Sequence, residues 1–435
     1  MLFAREAPKH DLLVRGARVL DPGEGLDAVL DVTVQSGVVA RLEPPGSGRE
    51  DGQRVLQGEG LVLAPAFVDP HVHLRTPGRE DEEDLVSGTA AAAAGGYCAI
   101  VAMPNTDPAV DCPAVLGDLA ERARREAEVP VGFVAALTKG QAGAELTEMV
   151  ALAERGALAF SDDGRPVVAP ALVRRALQYS AAAGRPLALH CEEPTLSRGG
   201  HMHEGAVSAE LGFAGFPSVA ESLMVARDLA LAAYEGQPVH LLHLSARESV
   251  EALSRAQAGG VAATGEVTPH HLCLTDEAVR SLDANLKMNP PLRTAADRAA
   301  LIEALRNGTI GAIATDHAPH ARHEKEVPFE AAPFGVTGLE TAFSALFTRL
   351  VEPGLVKLET LLERMSVGPA SAYGLHAPRI AVGAPANLVL LDLQASRRIA
   401  ETDFRSRSAN SWLVGETVKG QVRLTVAAGR VAYEA

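Results

Sequence analysis

Two hydrophobic patterns follow one another along the chain. From Leu12 to about Val62, apolar and polar residues alternate over short stretches, separated by turn sequences such as DPGEG, QSG and PPGSG. Alternation with a period of two, bounded by Gly, Pro and Asp, is typical of β-strands in hairpins. The same texture returns in NLVLLDL and VRLTVAAGRVAYEA near the carboxyl end. We therefore predict that the two termini jointly form one small β-sheet domain.

The middle of the chain repeats a different unit, in which an apolar strand ends at a polar residue and is followed by a helical segment rich in Ala, Leu, Arg and Glu. The predicted strands are AFVDPHVH, YCAIVAMPN, VGFVAALT, ALAFSDD, PLALHCE, PVHLLHLS, VAATGEVTP and IGAIATDH. Alternating strands and helices indicate a parallel sheet. Eight units suit a (β/α)₈ barrel, which typically needs about 250 residues plus insertions. The alternative is an open doubly wound sheet, although no GxGxxG turn follows the first strand.

Composition narrows the class of ligand. Among 435 residues, 55 Asp and Glu stand against 40 Lys and Arg, giving a formal charge of −15 that would repel nucleic acid and anionic membranes. No signal-peptide pattern opens the chain, and no apolar run approaches the roughly 20 residues of a membrane span. The four cysteines show no CxxC spacing, so neither a disulfide framework nor a structural zinc site is indicated. We expect a cytoplasmic protein that acts on a small molecule.

The candidate chemistry lies where the predicted strands end, which is the face that carries the active site in such barrels. The polar residues at these ends are His71, His73, Asp163, His190, His243 and Asp316. Side chains two apart on a strand share a face, so the HxH pair can hold one ion. Imidazoles and carboxylates suit Zn²⁺ or a similar divalent metal, with room for a second ion if a carboxylate bridges. From the pattern alone, either Asp162 or Asp163 could be that bridge.

Other histidines favour less specific interpretations. An HxH pair alone is weak support for a metal site, and a second pair, His201 and His203, follows two glycines in a predicted loop, where exposure or loop packing explains it better. We predict supporting or structural roles for His270, His271 and His317. His240 and Cys191 have the strand parity that points away from the barrel interior. What favours a metal centre is joint placement, because each of the six candidate ligands ends a different predicted strand except for the HxH pair, which shares one.

Several motifs together resemble one known family. HVHLR, MPNT, FSDDG, LHCE, HLLHLS, KMNPPLR, IATDHAPH and PFGVTGLE closely resemble the bacterial type I dihydroorotases of the amidohydrolase superfamily, over nearly the whole chain. HxH indicates only the superfamily, whereas KMNPPLR with IATDHAPH is specific to dihydroorotase-like members. The resemblance implies an α/β protein: a TIM-like (β/α)₈ barrel of residues 65–375 and a composite β-sandwich domain of residues 1–64 and 376–435.

The resemblance also implies roles for the candidate ligands. By this likeness His71, His73 and Asp316 would hold one zinc ion, His190 and His243 a second, and Asp163 would bridge the two. Many relatives use a carboxylated lysine as the bridge, but this chain has Asp at that strand end, so Lys139 is expected to be an ordinary lysine. Asp316 would also be the catalytic base.

Residues for the substrate follow in the same way. The resemblance implies that Arg75 and Asn105 hold an α-carboxylate, that Asn289 and His320 contact the ring, and that Phe334 and Gly335 belong to a loop closing over it. A planar guanidinium pairs a carboxylate at two points, which suits Arg75 to this role. One departure is Thr76, where relatives often have Glu, and we expect little effect on the chemistry.

The implied reaction is zinc-dependent, reversible hydrolysis of (S)-dihydroorotate to N-carbamoyl-L-aspartate, a step of pyrimidine nucleotide synthesis. One alternative is a hydantoinase, dihydropyrimidinase or allantoinase, whose substrates lack the carboxylate that Arg75 and Asn105 would bind. Another is a catalytically silent subunit that supports aspartate carbamoyltransferase, which would be expected to have lost ligands. A complex with that enzyme and a homo-oligomer both stay open, and neither nucleic acid nor membrane is expected as a partner.

Overall fold

A computed structural model describes residues 1–435. The strands are β1 (Leu12–Asp21), β2 (Leu26–Gln35), β3 (Val38–Glu43), β4 (Arg54–Gln57), β5 (Val62–Pro65), β6 (Phe67–Val72), β7 (Tyr97–Ala102), β8 (Val131–Phe133), β9 (Ala135–Ala136), β10 (Phe160–Ser161), β11 (Leu187–Leu189), β12 (Met202–His203), β13 (Gly215–Phe216), β14 (Val239–Leu241), β15 (Ala263–Val267), β16 (Ala312–Ile313), β17 (Leu388–Arg398), β18 (Thr417–Ala427) and β19 (Arg430–Glu434).

The helices are α1 (Leu85–Ala94), α2 (Pro113–Glu126), α3 (Met149–Glu154), α4 (Pro170–Ala183), α5 (Pro194–Ser197), α6 (Ala206–Leu211), α7 (Val219–Glu235), α8 (Arg247–Ala258), α9 (Pro269–Cys273), α10 (Ala295–Asn307), α11 (Arg322–Lys325), α12 (Ala342–Leu346), α13 (Leu358–Met365) and α14 (Val367–Ala372). No helix is both long enough and apolar enough to span a membrane.

The two ends of the chain form one sheet, as their alternating pattern predicts. Its strands lie in the order β19-β18-β17-β5-β1-β2-β3, with β4 paired to β1. The halves join where β17 pairs antiparallel with β5, Leu388 opposite Pro65 and Leu391 opposite Val62. A separate cluster of 14 buried apolar residues from both halves forms its core. The composite β-sandwich is therefore confirmed, whereas the exact domain boundaries stay a prediction.

The middle of the chain forms the barrel. Its eight strand positions are β6, β7, β8 with β9, β10, β11, β14, β15 and β16, and the paired neighbours run parallel. The ring closes where Val72 bridges His317 in parallel and the amide of His73 donates to the carbonyl of His317 at 2.9 Å. The predicted (β/α)₈ barrel is confirmed, and the alternative of an open doubly wound sheet is wrong.

Helix ends follow the local sequence signals. Pro170 opens α4, and Gly184 ends it at φ 63°, a left-handed conformation that glycine adopts without steric cost. A capping box of Thr294 and Asp297 opens α10. Several barrel strands are shorter than their apolar runs predict. The fourth ends at Ser161 and the eighth at Ile313, because the chain leaves the sheet there to form the loops that hold the polar residues of the site.

Candidate metal centre and substrate cleft

The six side chains predicted as metal ligands lie together at the carboxyl ends of the barrel strands, and all are buried. Asp163 is at their centre. Its Oδ2 is 3.6 Å from Nε2 of both His71 and His73. Its Oδ1 is 3.6 Å from Nδ1 of His190 and 3.4 Å from Nε2 of His243. Two groups of potential ligands therefore share this one carboxylate.

Asp316 completes the first group. Its Oδ1 is 3.0 Å from Nε2 of His73 and 3.4 Å from Nε2 of His71. Of the neighbouring aspartates, Asp163 faces this cluster, whereas Asp162 accepts hydrogen bonds from the backbone amides of residues 137 and 138 at 2.9 and 3.0 Å. The structure thus distinguishes two carboxylates that the sequence pattern alone could not.

The cluster has the chemistry of a divalent metal site. Nε2 of His71 and Oδ1 of Asp163 are buried and have no hydrogen-bond partner, a situation that costs about 1–3 kcal/mol per group unless something else pairs with them. Burial alone would raise the pKa of the Asp163 carboxyl, but the neighbouring imidazoles hold it well below its usual range. An ionised carboxylate among imidazole nitrogens is a donor set suited to zinc and similar ions.

A second layer of side chains orients these ligands. Nδ1 of His71 donates to Oε1 of the fully buried Glu266 at 2.7 Å, which leaves Nε2 facing the cluster. Oε2 of Glu266 is 2.9 Å from Nε2 of His240. Nδ1 of His73 lies 2.8 Å from Oδ1 of Asn105. Such partners of metal-binding histidines fix the tautomer and the ring orientation. Sequence analysis missed Glu266, although its position near the end of the seventh strand could have drawn attention to it.

The backbone is strained where the chemistry is concentrated. Arg75, His243 and Asp316 have positive φ values of 55°, 31° and 48°, which residues with a Cβ adopt at a cost of order 1–3 kcal/mol. All three follow barrel strands. Tight turns at these positions direct the side chains into one space, and the rest of the barrel stabilises them there.

The cluster opens into a cleft of about 380 Å³, and all the predicted substrate residues line it. They are Arg75, Asn105, Asn289, His320, Phe334 and Gly335, beside five of the six candidate ligands. The carbonyl of Pro319 accepts from Nε of Arg75 at 3.1 Å, and Glu82 pairs with the same nitrogen at 3.1 Å. The structure shows no hydrogen bond from either terminal nitrogen of Arg75, so this edge of the guanidinium can pair with an anion in the cleft.

The loop at Phe334 and Gly335 is held against the cleft. Its carbonyl at Phe334 accepts from Nε2 of His320 at 2.8 Å, and Nζ of Lys287 is 4.8 Å from the centre of the Phe334 ring. Gly335 has φ 126°, and a Cβ there would lie 2.7 Å from Cβ of Ala318 and 3.1 Å from Nε2 of His320. Only glycine fits this position without moving Ala318 or His320.

Asn410, near the carboxyl end of the chain, stabilises two loops of the cleft. Oδ1 of Asn410 accepts from the backbone amide of His320 at 3.1 Å. Its Nδ2 donates to the carbonyls of Ala318 and Gly335, each at 3.2 Å. Asn410 thus joins the two loops that carry His320 and Gly335. No motif in the sequence indicates these contacts, because they connect residues 75 to 92 positions apart.

The remaining predictions for single residues can be compared with their contacts. Lys139 is exposed and pairs with Glu145, as an ordinary lysine would. Sγ of Cys191 lies 3.6 Å from Asp228 on α7, outside the ligand cluster. His203 of the second HxH pair is buried beside Arg293, 3.2 Å away, which makes loop packing, not exposure, its explanation.

The supporting histidines are also placed. Nε2 of His271 donates to the carbonyl of Pro290 at 2.9 Å, and His270 is buried beside it. Nε2 of His317 lies 3.1 Å from Oε2 of Glu83, a buried carboxylate. His240 contacts the ring of Tyr373 edge-on as well as Glu266, so it supports the site from behind.

Comparison with known proteins defines the class first. The fold matches a solved L-hydantoinase (dihydropyrimidinase) from Arthrobacter aurescens with a TM-score of 0.88 and 26% identity, covering 98% of this chain and 96% of that one. It also matches a dihydropyrimidinase from Brevibacillus agri with a TM-score of 0.83 and 22% identity, over 97% and 94% of the two chains. The chain therefore has the barrel-and-sandwich fold of the cyclic amidohydrolases.

Sequence comparison narrows the class to a family. A Dihydro-orotase-like family model matches residues 60–249. The chain is 43% identical to a dihydroorotase of Geobacter metallireducens, covering 98% of this chain and all of that protein. It is also 43% identical to a dihydroorotase of Bacillus caldolyticus, over 93% and 94% of the two. This chain belongs to the dihydroorotase family.

Proposed function

We propose that this protein is a dihydroorotase, which reversibly hydrolyses the ring amide of (S)-dihydroorotate to N-carbamoyl-L-aspartate in pyrimidine nucleotide synthesis. The observation that carries the proposal is the pairing, within one cleft, of a complete cluster of imidazoles and carboxylates with the free guanidinium edge of Arg75. The first supplies the hydrolytic centre and the second binds the carboxylate that distinguishes this substrate from simpler cyclic amides.

The metal content we propose is two zinc ions per subunit. His71, His73 and Asp316 would hold one, His190 and His243 the other, and Asp163 would bridge them. Two groups of ligand atoms that share Asp163 support this division. Zinc in such a site would supply acidification of water to a pKa near 7 and polarisation of the amide carbonyl.

The protein groups have their own tasks in the reaction. Asp316 borders the cleft, and although burial would raise its pKa, His71 and the other imidazoles lower it below the usual range. It is therefore ionised and can accept the proton of the attacking water, then return it to the departing ring nitrogen. Arg75 and Asn105 would fix the substrate carboxylate, and the loop at Phe334 and Gly335 would limit access of bulk water. Positioning of this kind reduces the entropic cost of reaching the transition state.

Local charge also supports an anionic substrate. The chain as a whole has a formal charge of −15, but Arg75 and Arg79 line the cleft, and Lys287 lies behind its loop. A low-dielectric cleft concentrates the field of the nearest charges. Cations at the cleft can therefore attract a dicarboxylate product and a carboxylated ring despite the acidic surface.

Two other functions would use the same fold. A hydantoinase activity is favoured only by the structural likeness, and it leaves Arg75 without a ligand group. A silent subunit would be expected to lack ligands, and none of the six is absent. We propose that any complex with aspartate carbamoyltransferase, and any homo-oligomer, adds to an active subunit and is not a substitute for its activity.

The decisive experiment measures metal content and turnover on one preparation. Zinc-loaded wild type should cyclise N-carbamoyl-L-aspartate and open dihydroorotate, and Asp316→Ala should lose most of both rates. Hydantoin and dihydrouracil are the competing substrates. Turnover of these alone would support the hydantoinase alternative, and a wild type no faster than Asp316→Ala would support the silent subunit.

A further inference from the structure

We propose that Glu192 is a positioning residue that ties the metal-binding His190 to Asn289, so that Asn289 presents its amide oxygen to an N–H group of the substrate ring. This inference deepens the proposed function and rests on it for the identity of the ring. Glu192 belongs to no part of the mechanism given above. Its importance follows from three hydrogen bonds at the edge of the cleft.

One carboxylate oxygen of Glu192 accepts hydrogen bonds from two residues. Oε2 is 2.9 Å from Nε2 of His190 and 2.9 Å from Nδ2 of Asn289. The other oxygen, Oε1, accepts from the hydroxyl of Ser197 at 2.5 Å. Ser197 ends the short helix α5, so the carboxylate is anchored to the backbone segment that follows the fifth strand. An anchored acceptor with two donors restrains both of them.

The direction of these bonds fixes the chemistry of His190. An ionised carboxylate can only accept, so the proton of the His190 ring must lie on Nε2. In the neutral imidazole that a metal ion requires, Nδ1 then carries the lone pair, and it is this atom that lies 3.6 Å from Oδ1 of Asp163 and 2.9 Å from Nε2 of His243. Glu192 therefore sets which nitrogen of His190 is available to the metal cluster, as Glu266 does for His71.

The same argument fixes the amide of Asn289. Its NH₂ group donates to Glu192, and the amide oxygen Oδ1 is buried without any partner in the protein. Asn289 lines the cleft, so the group left to meet a ligand is an acceptor. A buried, unpaired carbonyl costs about 1–3 kcal/mol, and a ring N–H would remove this cost. Dihydroorotate has N–H groups of this kind, whereas an N-methylated ring would lack one of them.

Because Glu192 bonds to both His190 and Asn289, we predict that zinc affinity and affinity for the substrate ring are energetically coupled. Loss of Glu192 should release both His190 and the amide of Asn289, which could then rotate and present its NH₂ group instead. Residues that share one hydrogen-bonding partner show non-additive effects. A substitution at Glu192 should therefore make a later substitution at Asn289 less harmful than it is in the wild type.

The experiment compares Glu192→Ala, Glu192→Gln, Asn289→Ala and the double variant Glu192→Ala with Asn289→Ala. The matched control is Glu193→Ala, because the half-buried Glu193 caps the same helix α5 through Thr195 but contacts neither His190 nor Asn289. Each zinc-loaded protein is measured for kcat and KM of ring opening, for the chelator concentration that removes half of its zinc, and for the ring-nitrogen NMR signals of its histidines. Thermal unfolding identifies any variant that fails to fold.

We expect Glu192→Ala to raise KM about tenfold or more, which corresponds to roughly 1.4 kcal/mol, and to release zinc at a lower chelator concentration. Glu192→Gln, whose amide oxygen still accepts, should have smaller effects, and Glu193→Ala should resemble wild type. KM in the double variant should rise less than the product of the single effects. At least one N-methyl derivative of dihydroorotate should bind wild type more weakly than the parent, with a smaller difference in Asn289→Ala.

Three results would overturn the inference. The first is a Glu192→Ala protein whose KM and zinc retention equal those of Glu193→Ala. The second is a KM of the double variant equal to that expected from additive single effects. The third is that no N-methyl derivative loses more affinity, relative to the parent, for wild type than for Asn289→Ala. Failure of the proposed function is separable from these. If wild type does not turn over dihydroorotate, the zinc release and the NMR signals of His190 still report on the tie between Glu192 and the metal cluster.

Discussion

Replacing Glu266 by Gln tests whether the metal cluster depends on the side chains behind it. Glu266 accepts from Nδ1 of His71 at 2.7 Å and from the amide of His243 at 3.2 Å, and its second oxygen is 2.9 Å from Nε2 of His240. Gln keeps the volume and one carbonyl oxygen but removes the charge. Its NH₂ group would replace one acceptor with a donor, so one of the two histidines must change its tautomer or lose its bond.

The size of the effect follows from these contacts. A hydrogen bond to a charged group contributes about 1.5–3 kcal/mol, against about 1 kcal/mol for a neutral one. Loss of an orienting partner typically weakens metal binding 10- to 100-fold, or about 1.4–2.7 kcal/mol. Ala would be a poorer test, because three unsatisfied buried donors at about 1–3 kcal/mol each approach the 5–15 kcal/mol by which domains are usually stable.

The assay is zinc retention against a competing chelator, with thermal unfolding of the metal-free protein measured alongside. Glu221→Gln is the control, because Glu221 is also a buried carboxylate, accepting from the amides of Ser245 and Ala246 at 3.0 and 3.1 Å without touching a candidate ligand. The dissociation constant for zinc should be at least tenfold higher in Glu266→Gln than in Glu221→Gln. Equal retention in the two variants would refute the reasoning.

Three further outcomes are expected. Arg75→Lys should raise KM for dihydroorotate at least tenfold with a smaller change in kcat, because an ammonium cannot pair a carboxylate at two points; an unchanged KM would place the carboxylate elsewhere. Gly335→Ala should lower kcat/KM, since its Cβ would crowd His320, whereas Gly354→Ala, a left-handed position in open space, should change only stability. In the metal-free protein, burial lowers the pKa of His71 and His190, but the neighbouring carboxylates raise it by more. The net pKa of both is therefore above its usual value, and that of His190 is about 10. Zinc needs neutral imidazoles, so binding near pH 7.5 should release protons and tighten as pH rises, and calorimetry showing no proton release would contradict this.

The barrel and the convergence of the candidate ligands could be predicted because both depend on short-range regularities. A strand followed by a polar residue and a helix repeats eight times, and the parallel arrangement then brings His71, Asp163 and Asp316 to one rim. The supporting residues have no such regularity. Glu266 lies within the polar-looking stretch TGEV, and nothing local indicates that its carboxylate reaches His71 and His240 together. The choice between Asp162 and Asp163 likewise could not be made locally. It depends on the backbone amides of Leu137 and Thr138, which donate to Asp162 and leave Asp163 to face the cluster.

Asn410 shows why the terminal segments belong to any account of the site. The chain reaches it only after β17, a strand of the composite sandwich, and it then connects the backbone at His320 with that at Gly335. Ser408 in the same segment adds a further contact, since its hydroxyl donates to the carbonyl of Glu82 at 2.7 Å. Glu82 is also the residue whose carboxylate pairs with Arg75. Loops on a barrel rim are the least restrained part of the fold. Here a segment from outside the barrel restrains two of them, so the sandwich contributes to the rigidity of the cleft as well as covering one side of the barrel.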